Sequence, residues 1–318
     1  MRPPEDEADS AEGDADGIES RTLTITAADH GQRLDRVLAA AAREFSRSHL
    51  QHLVDGGHVR VDGATCTHNA RRLRAGQVVV VDLVPTAESQ AYRAEPMALP
   101  LLYEDAHVLV LDKPAGLVVH PGAGHWSGTL LNGLLAHHAD AARLPRAGIV
   151  HRLDKDTSGV MVVAKSIEAM TALVRDIAAR EVQRLYLAIA WGEVVPVQQR
   201  IDAPIGRDPS QRTRMAVVAS GRPAQTDVER VALSQGFSAL RCRLHTGRTH
   251  QIRVHLASRG HPLVADGLYG GRPALGMTRQ ALHATRLAFA HPLTRLPLSF
   301  DSPMPPDFAT AWRAVAGP

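Results

Sequence analysis

The sequence predicts an α+β protein in which a small α/β module, residues 22–84, precedes a larger mixed domain. Segments with helical spacing and segments that alternate like strands follow one another without the regular strand–helix–strand spacing of a doubly wound sheet. Residues 85–100 mix Pro, Ala, Glu and Ser with no period, which predicts a linker. The 318 residues suffice for two ordinary domains, and a hydrophobic content of 44% suffices for their cores.

Two helices and a few short strands are predicted in the small module. Apolar residues at helical spacing indicate the first helix: Leu34, Val37, Leu38 and Ala41. The second helix is predicted to begin at Ser48 and to end at Gly56. Residues 58–62 then alternate as a strand that ends in an Asp62–Gly63 turn, and residues 77–83 form the next strand.

In the larger domain, residues 107–112 and 160–164 are predicted to be buried strands. A long loop, residues 114–129, separates the first of them from a helix that begins at about Leu130. Ser166 is predicted to cap another helix. One face of that helix carries four apolar side chains: Ile167, Met170, Val174 and Ile177.

Two further strands are predicted in the second half of the chain. Apolar residues alternate along residues 185–191, which places Tyr186 on the opposite face from Leu185 and Leu187. Residues 237–245 form another strand, and a turn after it leads into a helix that stops at Gly260.

The charge of the chain is unevenly distributed. Residues 1–20 carry eight of the 33 acidic residues and one of the 36 basic ones, so the remaining chain has a formal charge of +10. The segment 1–21 is almost free of large apolar side chains and is predicted to be a disordered acidic tail. All but three of the bases are arginine, which suits a polyanionic partner, although an arginine-favouring codon composition explains the same count equally well.

Composition also bounds the location of the protein. No run of eighteen apolar residues is present, and the N-terminus lacks the basic start and apolar segment of a secretory signal, so no membrane association is expected. The two cysteines, Cys66 and Cys242, are far apart, which argues against a disulfide framework and against a CxxC zinc module. A reducing cytoplasm is the expected location.

Several common site signatures are missing from the sequence. No lysine follows glycine, as a phosphate-binding loop requires, and no serine stands in G-x-S-x-G. Gly122, Gly124 and Gly128 depart from the dinucleotide fingerprint by one residue. Histidines at 245, 250 and 255 are five apart, so they do not converge on a metal from a helix or from a strand.

The densest polar cluster is HRLDKDTSGVMVVAKS, residues 151–166. In an extended segment Arg152 and Asp154 point the same way, and a carboxylate where the chain enters a turn is well placed in a cleft. Hydrogen bonding within the turn accounts for Asp156, Thr157 and Ser158. It leaves the basic residues on both sides of Asp154 unexplained.

Two other segments carry unusual patterns. Residues 244–271, LHTGRTHQIRVHLASRGHPLVADGLYGG, place Arg248 and Arg253 at the start of a helix after a glycine turn. Such a helix end can bind phosphate, and a solvated basic helix end is the simpler alternative. Residues 111–138, LDKPAGLVVHPGAGHWSGTLLNGLLAHH, contain the long loop 114–129, which is predicted to be functional because a buried strand precedes it.

Together these segments resemble the RluA-type pseudouridine synthases, most closely the RluD-like branch that acts on large-subunit ribosomal RNA. The resemblance covers about residues 101–318 and includes HRLDKDTSG, the catalytic motif of the family. It implies a catalytic domain with a mixed, mainly antiparallel sheet and flanking helices. Residues 22–84, with RLDRVL and VRVDG, are similar to an S4-type RNA-binding domain. The chain departs from the family at Arg184-Leu185-Tyr186, often Arg-Glu-Tyr, and at Ala265-Asp266, usually Gly-Asp.

The resemblance implies roles for particular residues. Asp154 is the catalytic residue, Arg253 pairs with it, and Tyr186 stacks on the uracil. Four further residues are expected to bind substrate or RNA: Arg152, which fills the gap left by the extruded base, His151, Arg248 and His120. Five arginines of the S4-like module are expected to bind structured RNA: Arg47, Arg60, Arg71, Arg72 and Arg74.

The implied reaction converts uridine to pseudouridine, breaking the N1–C1′ bond and joining C5 to C1′. The atoms of substrate and product are the same, so no cofactor and no metal is expected. The implied partner is large-subunit rRNA, free or within a pre-ribosomal particle. Two alternatives are an RNA-binding ribosome-assembly factor with dispensable catalysis and a magnesium-dependent phosphatase with an aspartate nucleophile. The phosphatase motif needs Thr or Val where this chain has Ser158, and no lysine follows Lys165.

Overall fold

A computed structural model describes residues 19–84, 91–122, 124–211 and 213–317. The chain divides into two compact units between residues 90 and 91, within the predicted linker 85–100. Of that linker, residues 85–90 lie outside the described residues. Residues 91–100 are packed against the larger unit, because the Asn132 side-chain amide donates to the carbonyl oxygens of Ala91 and Arg93.

The predicted tail needs a correction at its end. Residues 1–18 lie outside the described residues, so their predicted disorder stays a prediction. Residues 19–21, however, belong to the first strand, where Arg21 pairs in register with Val81. Sequence analysis missed this strand because acidic residues precede it and because the strand itself contains few apolar residues.

The leading unit is an antiparallel sheet covered by two helices. Its elements are β1 (Glu19–Thr24), α1 (Leu34–Ala41), α2 (Arg47–Asp55), β2 (Val59–Val61), β3 (Ala64–Thr65) and β4 (Val78–Leu83). The strand order is β1-β4-β2-β3. The Asp62–Gly63 turn is confirmed: both residues have positive φ, 52° and 79°, as a tight hairpin between twisted strands requires. The cap of α2 is Ser46 rather than Ser48, because the extended Ser46 accepts the His49 N–H at 3.2 Å.

The larger unit is built on a nine-stranded sheet. Its strands are β5 (Leu101–Glu104), β6 (Val108–Lys113), β7 (Ser158–Ala164), β8 (Gln183–Trp191), β9 (Gln198–Asp202), β12 (Gln225–Ser234), β13 (Phe237–Leu244), β14 (Leu282–Ala290) and β15 (Pro297–Asp301). A separate pair consists of β10 (Ile205–Arg207) and β11 (Met215–Val217). The helices are α3 (Leu130–His137), α4 (Ile167–Ala178), α5 (Gln251–Ser258) and α6 (Pro306–Ala316).

The order of the large sheet is β5-β6-β7-β14-β8-β13-β12-β9, with β15 on β14. All of these neighbours are antiparallel except β7 and β14, which confirms the mainly antiparallel α+β class. The alternation predicted for β8 is also confirmed. Tyr186 faces one core cluster with Ala188, and Ile189 faces another that includes Phe308 of α6.

The predicted apolar face of α4 is partly wrong. Ser166 caps the helix as predicted, accepting the Ala169 N–H at 3.2 Å. The helix nevertheless buries Ala169, Ala172 and Leu173, whereas Ile167 and Val174 are 54% and 46% exposed. Met170 and Ile177 pack against the same core partly buried, as predicted, and Val174 lines the cleft described below.

Replacing the buried Asp35 is expected to loosen the leading unit. The carboxylate accepts hydrogen bonds from Arg33, Arg47 and Gln51, and these bonds hold its pKa well below the ordinary value. The Asp35→Asn variant should lose about 1–3 kcal/mol of stability at pH 7, because its charge-assisted bonds become neutral. Hydrogen exchange of α1 and α2 amides in the full chain measures the loss.

A carboxyl whose pKa is lower in the folded state contributes stability above its unfolded pKa of about 4. This contribution is lost as the pH falls from that value through the lower folded pKa. The difference between Asp35→Asn and the wild type should therefore shrink in acid. Asp140→Asn, an exposed carboxylate of the larger unit, is the control and should leave protection of α1 and α2 unchanged. Equal protection in wild type and Asp35→Asn at pH 7 would contradict the assigned role.

Candidate active site

A cleft of about 560 Å³ opens on the larger unit beside the entry into β7 and the turn before α5. Five arginines line it: Arg146, Arg152, Arg180, Arg184 and Arg248. Among the described residues that line the cleft, Asp154 is the only acidic one. The lining therefore carries a clear excess of positive charge, which suits an anionic substrate.

Asp154 and Arg253 meet at this cleft although 99 residues separate them in the chain. Arg253 Nη1 donates to Asp154 Oδ2 at 2.9 Å. Its Nε and Nη2 donate to the two oxygens of Asp266 at 2.7 and 2.8 Å. The Arg253 guanidinium also lies 5.0 Å from the centre of the Tyr269 ring. One guanidinium thus binds two carboxylates and fixes the direction of Asp154.

The charges of this triad stabilise one another. Burial lowers the pKa of Arg253, but the hydrogen bonds and charges of Asp266 and Asp154 raise it by more than burial lowers it. The net pKa is raised, so the group stays a cation. The Asp266 side chain is 1% exposed, whereas that of Asp154 is 17% exposed. Asp154 is therefore the carboxylate that remains accessible from the cleft.

The departure from Gly-Asp at Ala265-Asp266 leaves Asp266 in place. Ala265 adopts a φ of 60°, in the left-handed region that favours glycine. An alanine there costs roughly 1–2 kcal/mol relative to an unstrained backbone. Despite this strain, Asp266 is placed where it binds Arg253.

Lys113 is a residue of this site that sequence analysis missed. It is fully buried, and its ammonium group donates to the carbonyl oxygens of Pro114, Leu117 and Lys155 at 2.7, 2.9 and 2.9 Å. Burial lowers the pKa of Lys113 to about 7, although the charges of Asp156 and Asp154 raise it. The lysine ties the long loop to the residue next to Asp154. A lysine inside a buried apolar strand of a lysine-poor chain was the available signal.

The end of the HRLDKDTSG motif is structural. Ser158 Oγ is hydrogen-bonded to His283 Nδ1 at 3.0 Å, and the Thr157 hydroxyl accepts from Gln280 Nε2 at 3.3 Å. Gly159 has a φ of 120°, and a Cβ there would lie 2.2 Å from the Ala284 carbonyl oxygen. Only glycine permits the close parallel pairing of β7 with β14 at this point.

Tyr186 lies on β8 and lines the cleft with Asp154. Burial raises the pKa of Tyr186 to about 12; Arg184 lowers it and Asp154 raises it. The phenol is therefore neutral near pH 7. The three residues that the family resemblance implies to be catalytic are brought together: Asp154 and Arg253 are in direct contact, and Tyr186 lines the same cleft as Asp154.

His250 also lies near Asp154, although sequence analysis considered it only as a metal ligand. Its Nδ1 is hydrogen-bonded to the Tyr269 hydroxyl at 2.8 Å, and its Nε2 lies 3.8 Å from Asp154 Oδ1. The residue has a φ of 58°, an uncommon backbone conformation for a residue other than glycine. Its signal in the sequence was its place two residues after Arg248, at the start of α5.

The other expected substrate-binding residues differ in their surroundings. His151 Nε2 accepts the Val162 N–H at 3.0 Å, and burial lowers its pKa to about 3, so the ring is a neutral anchor for β7. His120 lines the cleft with both ring nitrogens buried and unpartnered, and burial lowers its pKa to about 4. Arg152 is exposed in the cleft, and Arg248 donates from Nε to the Pro223 carbonyl oxygen at 3.1 Å.

The five arginines expected to bind RNA through the S4-like module lie on the leading unit. Arg47 donates to Asp35 at 2.8 Å, Arg60 to Asp82 at 3.2 Å, and Arg72 to the Gly31 carbonyl oxygen at 2.7 Å. Arg72 and Arg74 are exposed, and Arg71 is half-buried.

Histidines 245 and 255 have ordinary partners. His245 Nε2 lies 2.6 Å from Asp227, and His255 is hydrogen-bonded to Thr226 and to the Ala203 carbonyl oxygen. Within the described ranges, no three His, Cys, Asp or Glu side chains are grouped so that they could hold a metal ion. Within the same described ranges, no helix is long and apolar enough to cross a membrane.

Comparison with known proteins places both units in described families. Residues 107–258 match the RNA pseudouridylate synthase family, and residues 32–79 match the S4 domain. The chain is 45% identical to a protein of Nitrosomonas europaea titled ribosomal large subunit pseudouridine synthase D, over 92% of this chain and 88% of that protein. A Xanthomonas campestris protein with the same title is 49% identical over 90% of this chain and 89% of its own.

A solved structure supports the same family. Human RNA pseudouridylate synthase domain containing 1 superposes with a TM-score of 0.54 at 28% identity. The match covers 69% of this chain and 90% of the human chain.

Removing the Arg253 guanidinium is expected to destabilise the protein strongly. Arg253→Met leaves Asp154 and the buried Asp266 without their shared cation, and breaking a buried pair in this way costs about 3–5 kcal/mol. Urea unfolding at pH 7 measures the loss. Arg286→Met, which breaks an exposed pair with Asp301, is the matched control and should cost less than about 1 kcal/mol. Similar losses in the two variants would refute the structural importance of the triad.

Proposed function

The chain belongs to the RNA pseudouridylate synthase family, and we propose that it isomerises uridines to pseudouridine in large-subunit ribosomal RNA. One observation carries the proposal: an accessible Asp154, held by Arg253, lies beside Tyr186 in an arginine-lined cleft. The two relatives described above, titled as acting on the ribosomal large subunit, align with about nine-tenths of this chain. This near full-length similarity supports the choice of RNA.

The proposed reaction begins at the sugar of an extruded uridine. The Asp154 carboxylate attacks C1′ or takes the 2′ proton to give a glycal, and either route breaks the N1–C1′ bond. The uracil then turns and C5 bonds to C1′; on the first route this expels the Asp154 carboxylate from C1′, and on the second route Asp154 returns its proton to C2′. The proton on C5 is then lost while N1 gains one. Substrate and product contain the same atoms, so the reaction as written consumes no co-reactant.

The neighbouring residues support this chemistry in different ways. Arg253 positions Asp154 through the 2.9 Å hydrogen bond to Oδ2, and the Asp154 side chain lines the cleft. Tyr186 is proposed to stack on the uracil. Because its phenol is neutral, it removes the C5 proton only if a partner takes up its own proton.

The excess of arginine in the cleft supports recognition of RNA. A uridine must leave its stack to reach Asp154, which costs a few kcal/mol, and phosphate contacts offset this cost. The arginines of the leading unit are proposed to bind structured RNA. We further propose that the substrate is rRNA, either free or within a pre-ribosomal particle, and that the protein acts in the cytoplasm, where its two free, buried cysteines stay reduced.

Replacing Asp154 by Asn is expected to abolish isomerisation. The variant keeps the size of the side chain but loses the negative charge that either route requires. The rate of pseudouridine formation in an rRNA stem-loop should fall at least about 100-fold, the smallest loss expected for a positioned base or nucleophile. Asp140→Asn, an exposed carboxylate outside the cleft, is the control and should keep the wild-type rate.

Further measurements on the wild type and the Asp154→Asn variant separate the alternatives. The wild type should remain active in the presence of a chelator, whereas a magnesium-dependent phosphatase would release phosphate and would need the metal. An assembly factor with dispensable catalysis would retain its cellular role in the Asp154→Asn variant. An unchanged rate in Asp154→Asn would refute the proposed reaction.

Binding of the stem-loop is expected to weaken with salt. Contacts between arginine and phosphate release counterions, so the logarithm of affinity falls linearly with the logarithm of salt concentration. Between 50 and 200 mM salt, the Kd should rise at least about tenfold. Fluorescence anisotropy measures it, and a Kd independent of salt would contradict recognition through phosphates.

A further inference from the structure

Arg184 is a buried guanidinium with no described partner in the cleft. It lies on β8 two residues before Tyr186, so both side chains point to the same face and line the same cleft. Arg184 is 5% exposed, and its Nε is buried without a hydrogen-bond partner. Among the described residues, no hydrogen bond or ion pair engages its guanidinium. Arg253, buried to a similar extent, binds two carboxylates.

Keeping this charge buried and unpaired is unfavourable for the free protein. Burial lowers the pKa of Arg184, and the nearby charge of Arg248 lowers it as well; only an ionised Tyr186 would raise it. A guanidinium remains charged in proteins and has no neutral form to adopt near pH 7. Buried charges are normally paired, so an unpaired one that faces a cleft is suited to an anion that arrives from outside.

The neighbouring turn makes room for the guanidinium. A Cβ on Gly247 would lie 2.9 Å from Arg184 Nη1. Gly247 is not among the glycines with positive φ, so backbone conformation does not require glycine there. The absence of a side chain instead lets Arg184 lie against the turn that carries Arg248. Two guanidinium groups thus flank one turn at the edge of the cleft.

The anion must come with the substrate, because the carboxylate of Asp154 is already bound by Arg253. A uracil carbonyl oxygen accepts a hydrogen bond but leaves the charge uncompensated. A phosphodiester supplies both the charge and the paired oxygens that guanidinium groups bind well.

Building on the proposed function, we propose that Arg184, together with Arg248, binds a phosphodiester group adjacent to the target uridine. This contact anchors the RNA strand beside the sugar and thereby holds C1′ opposite Asp154. The protein accordingly recognises a nucleotide within a strand, through a phosphate subsite separate from the uracil pocket of Tyr186.

The test uses an RNA stem-loop with a neutral methylphosphonate at the linkage 5′ or 3′ to the target uridine. At one of these linkages, the substitution should raise the Kd of the wild type roughly 10- to 100-fold, as expected for a lost charge-assisted contact. Arg184→Met should raise the Kd of unmodified RNA by a similar factor and should show almost no further loss with that methylphosphonate. Arg286→Met, an exposed arginine outside the cleft, should keep the full wild-type sensitivity.

A second measurement separates ligand binding from a structural role. Replacing an unpaired buried charge with an apolar side chain should leave the Tm of the free Arg184→Met protein unchanged or higher, whereas loss of a structural residue would lower it. Gly247→Ala keeps the charge but crowds Nη1, and it should weaken binding of the phosphodiester more than binding of the methylphosphonate. A lowered Tm, an unchanged Kd in Arg184→Met, or additive losses at both linkages would overturn the phosphate subsite.

The control for the proposed function is pseudouridine formation by the wild type on the unmodified stem-loop. If the wild type forms pseudouridine and Arg184→Met binds with unchanged affinity, the phosphate subsite alone is refuted. If the wild type forms none, the proposed function and this inference fail together.

Discussion

The site depends on one guanidinium that binds two carboxylates. Arg253 on α5 holds Asp154 at 2.9 Å and Asp266 at 2.7 and 2.8 Å, and each acid comes from a different part of the chain. A single pair would leave the arginine with unused donors in a buried place. The second carboxylate satisfies them, which keeps Arg253 rigid and leaves Asp154 partly accessible. The chemistry proposed for Asp154 relies on this division, with one acid structural and the other exposed to substrate.

Contacts within the sheet and the long loop hold the segment that carries Asp154 in position. Gly159 allows β7 to approach β14 closely, and Lys113 ties the long loop to the turn that carries Asp154. Burial adds a second constraint, because Tyr186 and His151 are kept neutral by their surroundings. Within the cleft, positive charge is therefore carried by arginines and negative charge by Asp154. The arginines suit RNA phosphates, and Asp154 suits a sugar carbon.

Local patterns in the sequence predicted the features that depend on near neighbours. The alternation of β8, the Ser166 cap and the Asp62–Gly63 turn each follow from a few adjacent residues, and all three are present. Long-range partners were less predictable. His151 lies in the HRLDKDTSG motif, yet its ring accepts the Val162 N–H, and Arg184 has no described partner. The pairing of Asp154 with Arg253 came from a family resemblance, since nothing in the local sequence joins residues so far apart.

The central claim is that this cleft converts uridine to pseudouridine in ribosomal RNA. The most direct measurement maps pseudouridine along large-subunit rRNA from cells that lack the gene and carry either the wild type or Asp154→Asn. We expect one or more positions to lose pseudouridine without the gene, to regain it with the wild type and to remain uridine with the variant. An identical map in all of these cells would contradict the claim.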